Sequence, residues 1–216
     1  MICGVSAVVL AFTVNDKVGS YMGVVWARLI SYITPMWLTV TGRENIDKQR
    51  SYVIVSNHQS QYDIMALYGW LGVDFKWVMK IELRKVPFLG IACEKLGHIY
   101  IDRSRSHKAL ESINAAKKKI SGGTSVLFFP EGTRSKTTEM LIFRKGAFNM
   151  ALDLDIPILP VTIEGTRKIL PTETINLFPG HARMRIHPPV DIAPYRNRDL
   201  AELMDDVRAI IHSALD

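Results

Sequence analysis

The chain has 216 residues, 48% of them hydrophobic and 22% charged, with a formal net charge of +6 and a pI near 9.3. That length fits one domain with an ordinary core, and the positive balance suits anionic partners such as a lipid surface or phosphorylated molecules. No zinc-finger spacing, aromatic ribonucleoprotein motif or basic heptad helix occurs, so nucleic acid is not an expected partner. Cys3 and Cys93 offer neither a disulfide framework nor metal-ligand spacing, and read as apolar fillers in a reducing compartment.

The first forty residues differ from the rest. From 1 to 42 the only charged residues are Asp16, Lys17 and Arg28. The apolar stretch 1–14 would measure about 21 Å as a helix, short of a hydrocarbon core of about 30 Å. It lacks the positive start of a secretory signal. A second stretch, 21–40, is interrupted by Arg28 and bent by Pro35, and carries Trp26 and Trp37, a residue type that favours the bilayer interface. Between them, Asn15-Asp16-Lys17-Val18-Gly19-Ser20 is a helix-breaking set. The expectation is two short helices over 1–42 that dip into one leaflet, preceding a domain over 43–216. A buried helical hairpin and a single spanning helix over 21–40 are the alternatives.

Beyond residue 42, strands are expected over 52–56, 75–79, 98–102, 125–129, 158–163 and 183–187. The last alternates Arg183, Met184, Arg185, Ile186, as a half-exposed strand near an edge does. Helices are expected over 64–71, 108–120, 145–154 and 200–215, the last striped by Leu200, Leu203, Val207, Ile210 and Ile211. This alternation gives an α/β fold, a mixed and mostly buried sheet flanked by helices. One echo stands out: Glu131-Gly132-Thr133-Arg134 recurs as Glu164-Gly165-Thr166-Arg167. It reads as coincidence, or as two strand ends with similar turn needs.

The chemistry concentrates in Asn57-His58-Gln59-Ser60-Gln61-Tyr62-Asp63. His58 falls in a strand-to-helix turn and Asp63 in the helix's first turn. On one continuous helix, residues five apart face different ways, so a bend between them is needed to bring carboxylate to ring. A carboxylate on one imidazole nitrogen fixes the tautomer and leaves the other nitrogen as a base. Such a dyad can deprotonate a hydroxyl. With an ordinary pKa of about 6.5, an imidazole is neutral enough to do so near pH 7. Ser60 reads as a helix cap. No Gly-x-Ser-x-Gly elbow occurs, so an acyl-serine is not indicated.

Three further blocks follow: Gly97-His98-Ile99-Tyr100-Ile101-Asp102-Arg103, Phe129-Pro130-Glu131-Gly132-Thr133-Arg134-Ser135, and Ile156-Pro157-Ile158-Leu159-Pro160-Val161. In this order, with the His58 block, they resemble the four motifs of the glycerolipid acyltransferase family over roughly residues 50 to 165. The resemblance implies acyl transfer from a thioester, acyl-CoA or acyl carrier protein, to the sn-2 hydroxyl of 1-acylglycerol 3-phosphate (lysophosphatidic acid). The product is phosphatidic acid. It implies His58 as base with Asp63 orienting it, and no cofactor; the other histidines are too scattered in the sequence to suggest a metal-ligand set. Arg103 and Arg134 become phosphate contacts, the latter on a loop that Gly132 lets turn or approach closely and that Thr133 shares. Glu131 either fixes Arg134 or contacts the glycerol. Lys80, in a weaker pattern, is an electrostatic stabiliser or a surface lysine. Arg144 and Lys145 precede a helix whose start attracts phosphate. The last block shapes a wall. The expected place is the cytoplasmic face of the cell membrane, monotopically bound. A different acceptor, a lipid-binding scaffold without activity and a thioesterase are the competing readings.

Overall fold

A computed structural model describes residues 16–87, 89–102, 120 and 123–215. The chain opens with α1 (Asp16–Ile33) and β1 (Met36–Thr41), then β2 (Val53–Ser56), α2 (Tyr62–Trp70), β3 (Phe75–Lys80), α3 (Leu89–Lys95) and β4 (Ile99–Ile101). It continues with β5 (Ser125–Phe128), α4 (Gly146–Leu154), β6 (Ile158–Glu164), α5 (Thr166–Ile169), β7 (Gly180–Ile186) and α6 (Leu200–His212). The strands form one sheet of seven in the order β1-β7-β6-β2-β5-β3-β4. Neighbours run parallel except β6 and β7, so β1 and β7 oppose the other five.

The central strands are buried on both faces, which is why they read as unbroken apolar runs. Val53, Val55, Val126 and Phe128 point to one side, where Phe148 and Met150 of α4 and Leu203, Val207 and Ile211 of α6 cover them. Ile54, Leu127, Leu159 and Val161 point to the other, under Ala66 and Leu67 of α2 and Ile169 of α5. β7 alternates exposed and buried positions as its sequence predicts, but it lies one strand in from the edge.

The N-terminal expectation is corrected in part. Its first helix, 1–14, and the helix expected over 108–120 lie outside the described residues, Ile120 excepted. The second stretch is not one helix over 21–40. α1 ends at Ile33, and 36–41 is an edge strand paired with β7. Pro35 disfavours helix at Thr34, and beyond it Met36, Leu38 and Val40 turn inward while Trp37, Thr39 and Thr41 face out. That period of two was masked by the run's overall apolarity. A spanning helix there is thereby overturned, and among the described residues no helix is long and apolar enough to cross a membrane. Of the expected break at 15–20, the described part, 16–20, is helical, since α1 starts at Asp16 and runs through Gly19 and Ser20.

Packing on α2 outweighs the small propensity cost of those residues. Gly23 lies so close to the Tyr68 ring that a Cβ there would meet it at 3.1 Å. Arg28 Nε donates to the Gly69 carbonyl at 2.9 Å, and its guanidinium lies over the Trp70 ring. Thr34 Oγ1 is hydrogen-bonded to the Tyr62 hydroxyl. α1 therefore braces the helix that carries Asp63.

Candidate active site

β2, β3, β5 and β6 end on the same side of the sheet, and the turns leaving them gather there. This is the side on which open α/β sheets bind ligands. The turn after β2 holds His58. Asn57 anchors it to β6, its amide donating to the Ile163 carbonyl and accepting the Ile163 N–H, each at 2.8 Å. Ser60 Oγ accepts the Tyr62 N–H at 3.2 Å and donates to the Leu170 carbonyl at 2.8 Å, so it braces the entry to α2.

The bend between His58 and Asp63 is present. His58 Nδ1 lies 2.9 Å from Asp63 Oδ2, which also accepts the N–H groups of Gln59 at 2.7 Å and Ser60 at 2.8 Å. Asp63 Oδ1 accepts the Thr166 hydroxyl at 2.5 Å. Asp63 is wholly buried, whereas the His58 side chain keeps 13% exposure. A carboxylate accepts, so Nδ1 carries the proton and Nε2 is left as the acceptor. Phe129 stacks on the imidazole, centroids 3.8 Å apart and planes within 9°, which fixes the ring's plane.

The loop after β5 supports this turn from its other side. Glu131 is almost fully buried, yet it does not pair with Arg134. Its Oε1 accepts the His58 N–H at 2.7 Å and its Oε2 the Leu141 N–H at 2.8 Å. Burial raises its carboxyl above the ordinary range, and those two amide donors oppose the shift. Ser135 N–H donates to the His58 carbonyl at 2.8 Å. Gly132 is left-handed (φ 76°), and a Cβ on it would lie 2.7 Å from Arg144 Nε. Arg144 thus rests on the loop, with its N–H on the Pro130 carbonyl at 2.9 Å.

Thr133 and Lys145 are exposed and Arg134 is half-buried. Lys136 pairs with Glu173 and holds its carboxyl below the usual range, and the charge of Arg134 adds to the effect. Lys80 is exposed at the end of β3, two strands from β2. Arg103 lies outside the described residues. His98 is turned inward, with Nδ1 accepting the Trp77 N–H at 3.2 Å and Nε2 2.5 Å from the Tyr68 hydroxyl.

Sequence reasoning missed Phe129 as a ring platform and Thr166 as a partner of Asp63. The first is the opening residue of a recognised block. The second lies in the echoed tetrapeptide, whose recurrence was the available signal.

Residues 38–164 match the sequence profile of the acyltransferase family. This chain belongs to that family. The chain is 34% identical, over 88% of its own length and 55% of the relative's, to the chloroplastic 1-acyl-sn-glycerol-3-phosphate acyltransferase BAT2 of Brassica napus. It is 31% identical to 1-acyl-sn-glycerol-3-phosphate acyltransferase alpha of Homo sapiens, over 86% of its length and 65% of that protein. The chain thus spans about half to two thirds of the curated relatives it matches. Among solved structures, it superposes on the 1-acyl-sn-glycerophosphate (LPA) acyltransferase PlsC of Thermotoga maritima. The TM-score is 0.81 at 27% identity, with 98% of this chain and 86% of that one covered.

In this chain, a buried carboxylate, an oriented imidazole whose Nε2 the carboxylate leaves unclaimed, and a cationic loop from the neighbouring strand share one edge of the sheet. That set can remove a proton from a hydroxyl whose substrate carries negative charge nearby.

Proposed function

We propose that this acyltransferase moves a fatty acyl group from acyl-CoA or acyl carrier protein to the sn-2 hydroxyl of 1-acylglycerol 3-phosphate, giving phosphatidic acid. The observation that carries the reading is the His58–Asp63 pair, 2.9 Å apart with Nε2 unclaimed by the carboxylate. The names of the relatives supply the substrate. His58 Nε2 takes the hydroxyl proton as the oxygen attacks the thioester carbonyl. The tetrahedral intermediate collapses by breaking its C–S bond, and His58 returns the proton to the leaving thiolate. No acyl-enzyme is needed.

Arg134, with Arg144 beside its loop, is the proposed phosphate clamp, a role for which a guanidinium fork is suited. Arg103 and Lys145 are further proposed phosphate contacts, and Lys80 an electrostatic stabiliser. Glu131 supports the site through the His58 N–H. The proposed setting is the cytoplasmic face of the cell membrane, with the protein bound monotopically. Tyr21, Leu29, Tyr32 and Ile33 on α1, and Trp37 beyond it, expose apolar surface suited to a lipid interface.

Thiol release from acyl-CoA, with and without lysophosphatidic acid in vesicles, tests the reading. Release that requires the lysolipid and yields phosphatidic acid is expected, by a protein that sediments with the vesicles. Release without acceptor would instead mark a thioesterase. Vesicle binding with silence toward acyl-CoA, acyl carrier protein and other acceptors alike would mark a scaffold.

A further inference from the structure

The echoed tetrapeptide occupies two equivalent places. Glu131-Gly132-Thr133-Arg134 follows β5, and Glu164-Gly165-Thr166-Arg167 leaves β6; these strands pair with β2 on its two sides. Both glycines are left-handed, at φ 76° and 85°. A Cβ on Gly165 would fall 2.3 Å from the His181 carbonyl oxygen, so the chain can leave β6 this sharply only through glycine. The two turns flank the His58 turn, and each touches one member of the dyad. Glu131 of the first takes the His58 N–H; Thr166 of the second, fully buried, donates its hydroxyl to Asp63.

The carboxylate's two oxygens are not equivalent. Oδ2 is shared among His58 Nδ1 and two backbone amides, while Oδ1 accepts the Thr166 hydroxyl. The torsion that swings a carboxylate about its Cβ–Cγ bond is broad and roughly two-fold. Donors on both oxygens confine it. We propose that Thr166 is a positioning residue for acyl transfer: by holding Oδ1, it keeps Oδ2 aligned on His58 Nδ1. This rests on the proposed role of the dyad. It makes the turn after β6 part of the active site, alongside the turn after β5.

Thr166→Val keeps the shape and removes the donor, leaving a buried carboxylate oxygen unpaired. Thr166→Ser keeps the donor. Because a partner acting through an orienting group alters activity without touching substrate, the expected change is in kcat. Thr166→Val should lower kcat by about tenfold to a hundredfold, the loss seen when the outer hydrogen-bond partners of metal-ligating histidines are removed, with KM for lysophosphatidic acid and acyl-CoA unchanged. Thr166→Ser should restore most of it. Nitrogen-15 spectra of the His58 ring should show one dominant Nδ1–H tautomer in the native and Ser proteins and a mixture in the Val protein.

Thermal unfolding is read first; should Thr166→Val not fold, Thr166→Ala against Thr166→Ser makes the same comparison. A native kcat in the protein lacking the hydroxyl, a Ser protein as impaired as that one, or a loss confined to KM would each overturn the proposal. His58→Ala, run in parallel, separates the two failures. Activity surviving in His58→Ala overturns the dyad itself, whereas an inactive His58→Ala beside a fully active Thr166→Val overturns only the role of Thr166.

Discussion

Glu131 is the residue whose structural role differs most from what its motif suggests. An acidic residue three positions before an arginine invites an ion pair, yet both its oxygens take backbone N–H groups from two separate loops. Only an acceptor at both ends can do this. Glu131→Gln turns one acceptor into a donor that faces an N–H, so one hydrogen bond is lost and the two donors meet. The loss should cost on the order of 1–3 kcal/mol of stability, as for other buried unsatisfied groups. It should also lower kcat, because the His58 backbone is released. Denaturant unfolding and steady-state rates measure the two effects, and unchanged values for both would remove Glu131 from the support of the dyad. The contact of His58 with Asp63 was legible from the four motif blocks that stand in register around it, and not from the spacing, which on a continuous helix would turn the two apart. The partnership of Thr166 with Asp63 joins residues 103 apart in the chain, and the echoed tetrapeptide was its one trace in the sequence.

Among the elements, the central strands were legible because burial on both faces leaves an unmistakable apolar run. β1 was not, since a short edge strand placed directly after an apolar helix shares its composition. α5 is only four residues long and offers no period to read. Besides its apolar stripe, α6 is tied to the sheet by a contact that no pattern announces. Thr162 Oγ1 on β6 donates to the Ile211 carbonyl at 2.8 Å, and so accepts Nε2–H of His187, 2.9 Å away just beyond β7.

Burial first, and Arg185 second, lower the pKa of His187 below its ordinary 6.5. Below that value the unfolded chain binds a proton that the folded protein resists. This contribution therefore makes stability fall as pH drops below about 6.5, by at most about 1.4 kcal/mol per pH unit. In His187→Gln the fall should be shallower. Denaturant unfolding at pH 7.5 and 5.5, native against variant, gives the comparison; equal slopes would show that His187 is not the group responsible.

At the scale of the whole molecule, the sheet's strand order brings the turns together. β5 and β6 lie on either side of β2, so the segments leaving them close on His58 and Asp63 from both flanks. α1 braces α2 behind the dyad and leaves its own outer apolar residues exposed, so in the proposed setting one helix serves both the site and the lipid surface. The net charge of +6 suits that surface and an acidic acyl donor equally. The central claim is that the imidazole at the end of β2 removes the acceptor's proton. Its most direct measurement is the rate of lysophosphatidate-dependent thiol release by native protein and His58→Ala at matched folded concentration. The account predicts a loss of about a hundredfold to ten-thousandfold, the worth of a general base. A His58→Ala protein that still transfers acyl groups at the native rate would contradict it.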